Sequence, residues 1–259
     1  MCKGDGVEHE GVRARARREL VQRITDTARE QLGEVGAAGL SVRAVTRELG
    51  MAPSAVYRYF PSRDALLTAL IVDAYQGIAD CVADAERAVP RADLFGRWLA
   101  VFRAVREWGL ARPHEYALIY GSPVPGYVAP EETAEPASRV SLLLAGIACE
   151  SWVASDGGVH GSRSALAAAF AAESAQHAAG ALDDDVRRLI GYLQVARPDL
   201  VLDDLPADLA LAVVDAWTEM IGCVSFELFG HYRRVIDARD AHLVAVARRT
   251  ASRAGVPIN

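Results

Sequence analysis

Apolar residues recur along most of the chain at the spacing of helices. Leu20, Ile24, Ala28, Leu32 and Val35 fall three and four apart, which predicts a helix over residues 13–35 with one apolar face. Gly36 and Gly39 end it. Val42, Val45 and Leu49 mark a short second helix, with Ser41 placed to cap its start and Gly50 to close it in a left-handed conformation. Pro53 suits the first turn of a third helix over residues 53–60, because its missing N–H would have no helical partner there. After Pro61, Ser62 is the cap and Asp64 a first-turn acid of a fourth helix reaching about residue 88. Its apolar positions are Leu66, Leu67, Leu70, Ile71, Ala74, Ile78, Cys81 and Val82. At 1.5 Å per residue this helix is about 40 Å long, enough to leave one domain and enter another.

Helical patterns resume over residues 94–110, 136–155, 162–179, 184–195, 206–229 and 237–253. Between them, GSPVPGYVAPEETAEP carries Pro123, Pro125, Pro130 and Pro136, which predict a loop. No stretch alternates with the period of a strand. The expected class is all-α, with a disordered tail at residues 1–12, a three-helix unit at 13–62 and a larger helical domain at 63–259.

Charge sharpens this division. The 259 residues carry a net charge of −6, yet residues 12–63 hold ten arginines against five acids, a local balance of +5. A basic head on an acidic body suits a nucleic-acid reader. Lysine occurs once, at Lys3, so part of the arginine count is compositional bias. Cys2, Cys81, Cys149 and Cys223 are scattered without a CxxC or a nearby histidine cluster, which argues against a zinc site or a disulfide framework. The first residues, MCKGDGVEHEG, lack the apolar core of a signal peptide, and no run of about 18 apolar residues occurs. A soluble, cytoplasmic protein with no membrane partner is expected.

The second and third helices, joined through Gly50, have the form of a helix-turn-helix, in which the second of the pair enters the DNA major groove. Val56 and Phe60, four apart, are expected to face the core. That leaves Ser54, Ala55, Tyr57, Arg58 and Tyr59 outward. Tyrosine hydroxyls can donate to phosphate, Arg58 can reach phosphate or a guanine edge, and Ala55 is small enough to approach a thymine methyl.

SVRAVTRELGMAPSAVYRYFPSRDALLTAL resembles the DNA-binding domain of the TetR family of bacterial transcriptional regulators in helix order, in its YRYF pattern and in the helix-opening SRDALL. WGLARPHEYALIYGSPVPGYVAP resembles the C-terminal domain of one TetR subgroup, and AWTEMIGCVSFELFGHY its late helix. The resemblance implies that Ser41 and Arg43 touch phosphate and a base edge, and that Pro53, Ser54, Ala55, Tyr57, Arg58 and Tyr59 form the groove face. It also implies that Arg63 grips a phosphate. Arg58 departs from the pattern, standing where the family often has an aromatic, so operator sequence does not transfer from relatives. The larger domain is expected to bind a ligand and to dimerise.

Residues 206–229 are apolar nearly all round, with charges only at Asp208, Asp215, Glu219 and Glu227. Such a helix must bury more than one face. One face can meet its own core and another a second copy, giving a homodimer with Val214, Ile221 and Ser225 at the interface; the alternative is a central helix wrapped by its own chain. Among the large body residues, which include Trp108 and Tyr116, the candidates for a ligand pocket are Phe102, Arg106, Tyr120, Trp152, Trp217 and Met220. His114 and His231 lack a nucleophile–base set, and there is neither an HExxH nor a glycine-rich phosphate loop. No catalytic residues, metal or cofactor are expected. The leading function is a regulator, a repressor on double-stranded operator DNA released by a small, largely apolar effector. The alternatives are an architectural DNA-binding protein without an effector, and a helical binding protein or enzyme whose hairpin only resembles a DNA reader.

Overall fold

The computed structural model describes residues 11–155, 183–200 and 205–258. Ten α-helices occur among the described residues, with no strand: α1 Val12–Gly39, α2 Val42–Glu48, α3 Pro53–Tyr57, α4 Arg63–Arg87, α5 Leu94–Ala111, α6 Pro113–Tyr120, α7 Ala134–Ala154, α8 Asp183–Ala196, α9 Ala207–Leu228 and α10 Arg239–Arg253. A 3₁₀ turn at Glu131–Thr133 leads into α7. The helix expected over 162–179 and most of the expected tail lie outside the described residues, and α1 has already begun at Val12.

The chain forms two compact units, one of residues up to Ala74 with His114–Thr133, the other of Tyr75–Pro113 with the residues from Ala134 onward. The boundary expected at residue 62 would separate the first three helices from α4, whereas α4 contributes residues to both units. The first unit also takes in α6 and the proline-rich segment after it.

In the first unit, Ile24, Ala28 and Leu32 of α1 are buried with Val45 of α2, Val56 of α3 and Leu66, Leu67 and Leu70 of α4. Val35 was expected on the same face but is exposed, because the helix breaks immediately after it at Gly36, where φ is +70°. Gly50 (φ +63°) closes α2 through paired bonds: its N–H reaches the Arg47 carbonyl at 3.2 Å, and the Met51 N–H reaches the Thr46 carbonyl at 2.9 Å. A Cβ would be strained in that left-handed conformation. The helix expected over 53–60 stops at Tyr57. The last residues turn instead, with the Phe60 N–H on the Val56 carbonyl at 3.0 Å, because the residue before a proline disfavours helical backbone. Ser62 caps α4 as expected, its Oγ accepting from the Ala65 N–H at 3.0 Å. Ser41 occupies the cap position of α2 but makes no side-chain capping bond.

The expected loop over residues 121–136 is shorter than its prolines suggest. α6 runs up to its start, and at its far end the turn at Glu131–Thr133 and the first residues of α7 take over, with Pro136 in the first turn of α7, where a missing N–H costs no helical bond. Tyr127 fastens the remaining loop to α4, its hydroxyl 2.9 Å from the Thr68 hydroxyl.

The second unit is built on α9, which packs on α5, α7, α8 and α10. Trp98, Phe102 and Val105 of α5 meet Leu144 and Ile147 of α7, Leu209, Ala216 and Met220 of α9, and Val246 and Ala247 of α10 in one buried core. The Trp98 indole donates to Thr250 Oγ1 at 3.2 Å, which satisfies the one polar atom of that side chain. By length and hydropathy alone α4, α7 with its preceding turn, and α9 could cross a bilayer. Half of each of the first two is instead buried within the protein.

Candidate functional site

Local chemistry fixes the outward face of α3. Pro53 starts the helix at its first position with Ala52 as cap residue, and burial of Val56 and Phe60 sets its rotation. Pro53, Ser54, Tyr57 and Arg58 are thereby exposed, and Ala55 and Tyr59 half-buried. On α2, Arg43 and Arg47 are exposed, and Ser41 is half-buried with its hydroxyl free of a capping role. The structure thus brings Ser41, Arg43, Pro53, Ser54, Ala55, Tyr57, Arg58 and Tyr59 onto the helix-turn-helix, with the polar ends at the surface.

Two features of this unit were hidden in the sequence. Tyr59 is bracketed by guanidinium groups: Arg58 lies with Cζ 5.1 Å from the ring centroid and donates to the hydroxyl at 2.9 Å, and Arg17 of α1 stands 5.9 Å from the same centroid. Both guanidinium groups lie within cation–π distance of the ring, next to α3. Not every arginine of the basic head serves its outer face. Arg29 is spent on Asp26 at 2.5 Å, Asp73 at 3.6 Å and Glu115 at 3.2 Å, which ties α1, α4 and α6 together. Burial raises the Asp73 pKa despite Arg29, and neighbouring Asp26 adds to the rise.

Arg63 also turns inward. Its guanidinium donates to the carbonyls of Ala37 at 2.8 Å, Leu40 at 3.2 Å and Ala38 at 3.3 Å. These acceptors surround the broken end of α1, where carbonyls lack helical partners. A phosphate contact from Arg63 would have to be shared with this role.

Comparison with known proteins assigns two segments of the chain to known domains. Residues 24–70 match the domain described as bacterial regulatory proteins, tetR family, and residues 98–249 match the tetracyclin repressor-like C-terminal domain. The chain belongs to the TetR family. Among curated proteins it is 48% identical over 144 residues to the HTH-type transcriptional regulators Rv1816 of Mycobacterium tuberculosis and Mb1846 of Mycobacterium bovis. That match covers 53% of this chain and 62% of each relative. Among solved structures, the regulatory protein SCO4313 shares 28% identity with a TM-score of 0.65, covering 93% of this chain and all of the other. A Rhodococcus protein of unknown function, 19% identical with a TM-score of 0.58 over 95% of this chain and 97% of its own, shares the fold. The matched family is described as regulatory proteins, and the names of the two curated relatives describe transcriptional regulators, not enzymes.

The candidate pocket residues of this TetR chain fall in both units. Phe102, Trp152 and Met220 are buried in the second unit with the helix packing already described. Trp217 is half-buried in the same unit, its indole nitrogen enclosed without an acceptor among the described residues. Tyr120 belongs to the first unit, its ring 5.0 Å from that of Tyr116. Arg106 grips Glu227 with two bonds of 2.6 Å. Glu227 is consequently a buried, paired carboxylate on α9, unlike Asp215 on the exposed side. Long-range pairs of this kind leave no spacing signal in the sequence.

Of the expected interface residues, Val214 is 39% exposed, and Ile221 and Ser225 are half-buried. Further along, Phe226 and Phe229 are 51% and 45% exposed, and they were not singled out from the sequence. The apolar run of residues 206–229 was the available signal. Cys149 is buried and its thiol is pushed up to about 11 by desolvation, and burial likewise raises Cys223, which disfavours the thiolate of both.

Proposed function

We propose that this TetR-family chain is a cytoplasmic, DNA-binding transcriptional repressor that binds a palindromic operator as a homodimer and is released by a small, largely apolar effector. The observation that carries the reading is the rotation of α3. Burying Val56 and Phe60 leaves Tyr57 and Arg58 exposed on α3, as Arg43 is on α2, a set of flat donors and cations at the surface that a core helix has no use for. In this reading Arg43 meets a base edge, Tyr57 and Ser41 meet phosphates, and Pro53, Ser54, Ala55, Arg58 and Tyr59 complete the groove face. Arg63 serves the phosphate backbone while also holding the end of α1.

For assembly, the stripe of Val214, Ile221 and Ser225 on α9 supports pairing with a second copy, and Phe226 and Phe229 extend it. A twofold pair would present two recognition helices to two half-sites, as a palindrome requires. Phe102, Arg106, Trp152, Trp217 and Met220 of the second unit remain the candidates for effector contact. Selecting bound fragments from the source genome and measuring their affinity by fluorescence anisotropy tests the reading. Recovery of no preferred sequence would leave only non-specific binding.

A further inference from the structure

The first turns of α1 bury nothing. Every residue from Gly11 to Glu19 is exposed, Val12 at 85%, and burial on α1 begins with half-buried Leu20 and fully buried Ile24. About 12 Å of helix therefore extends beyond the core to which the rest of α1 belongs. Its side chains are nevertheless placed by face. At 3.6 residues per turn, Arg13, Arg17, Leu20, Ile24 and Ala28 lie within about 80° of one another. Two arginines thus continue the face that buries Ile24 and Ala28.

The charge on that face is uncompensated. Arg15, about half a turn away, is paired with Glu19 at 2.9 Å. Arg13 and Arg17 pair with no acid among the described residues. Arg17 sets this face beside the recognition segment, its Cζ 5.9 Å from the ring centroid of Tyr59, which follows the end of α3. Arg58 lies 5.1 Å from the same centroid and donates to the Tyr59 hydroxyl at 2.9 Å. A contact with the ring face uses no N–H of Arg17, so its donors remain for another acceptor. Arg13 stands one turn, about 6 Å, further out on the same face.

We propose that Arg13 and Arg17 form a second DNA contact, gripping the phosphate backbone beside the bases that α3 reads and extending the footprint past the helix-turn-helix. The fork of a guanidinium suits phosphate oxygens, and contacts of this kind fix position without reading sequence. The inference rests on the DNA-binding reading above and adds to it a site in the segment before the helix-turn-helix. A helix end that served packing would carry apolar residues at positions 13 and 17, and one that needed only solvation would have no reason to set its free cations on the face next to Tyr59.

Fluorescence anisotropy of the full chain tests it, on a genomic fragment that the protein selects and on the same bases scrambled, at several salt concentrations. Arg13→Ala and Arg17→Ala are each expected to lower the slope of log affinity against log salt by about one on both DNAs, and the double variant by about two. Arg17→Lys keeps the charge and is expected to keep the slope, which separates a phosphate contact from mere support of Tyr59. Arg15→Ala, on the opposite face, is expected to leave the slope unchanged. Hydroxyl-radical cleavage should show backbone positions protected by the wild type and open in the double variant, with circular dichroism confirming that each variant is folded. An unchanged slope in the double variant, an equal loss in Arg15→Ala, a loss in Arg17→Lys as large as in Arg17→Ala, or an identical footprint would overturn the contact. Equal affinity for the two DNAs with these slope changes intact removes sequence reading by α3 and leaves the backbone contact standing. Unchanged slopes with the preference for the selected fragment intact remove the contact alone.

Discussion

The Arg63 guanidinium donates to the Ala37 carbonyl at 2.8 Å and so joins the start of α4 to the broken end of α1. Arg43 on α2 is exposed instead. Two arginines of one basic segment therefore have separable roles. Arg63→Ala is expected to destabilise the protein by about 1–3 kcal/mol, the cost of leaving polar groups unsatisfied. It should weaken operator and random DNA alike. Arg43→Ala should leave the urea midpoint unchanged and cost about 1–3 kcal/mol on the operator only, if it reads a base. Equal losses on operator and random DNA would remove that base contact.

Gly50 offers a local check on the reading head. Gly50→Ala places a Cβ at φ +63°, with an expected destabilisation of about 1–2 kcal/mol from the left-handed conformation alone. Nothing crowds the added Cβ, so an unchanged unfolding midpoint would contradict the strain argument.

Acid should loosen the second unit through Glu150. Burial raises its pKa, but the hydrogen bond and charge of Arg97, with Arg91 and Arg197, outweigh burial and hold it below the usual glutamate value. A carboxylate with a depressed folded pKa contributes stability above its unfolded pKa and loses it as pH falls through the folded one. The midpoint of urea unfolding is expected to drop below about pH 4.5, near the unfolded glutamate value, and Glu150→Gln should reduce that slope. A slope identical in the variant would exclude Glu150 as a source of the acid sensitivity.

Assembly can be tested one charge at a time. Val214→Glu and Ile221→Glu each place a carboxylate on the candidate pairing stripe of α9, and sedimentation is expected to report monomers. Folded variants that all remain dimeric would move the interface elsewhere. A monomer should also lose operator binding, because half-sites about 34–36 Å apart need two linked recognition helices.

The helix-turn-helix was legible because its instructions are local. Gly50, Pro53 and Ser62 each act within a few residues, and the spacing of Val56 and Phe60 sets the rotation of α3. What escaped the sequence depends on distant partners. Thr68 meets Tyr127 across 59 positions, and Arg29 meets Glu115 across 86, so the grouping of α6 with the first unit had no periodic signature. Arg106 was expected to face a ligand because nothing near it in sequence announces Glu227, 121 positions away. The ion-pair network around Glu150 has the same origin, since Glu86, Arg97 and Glu150 sit on three helices, Arg197 follows the end of a fourth, and none forms a motif with its neighbours.

Sequence-specific operator binding is the centre of the account, and competition anisotropy on the full-length protein measures it directly. A labelled genomic fragment selected by the protein should be bound at least about 10³-fold more tightly than the same bases in scrambled order at physiological salt, the lower end for specific readers. Equal affinity for the two, with the same dependence on salt, would contradict it.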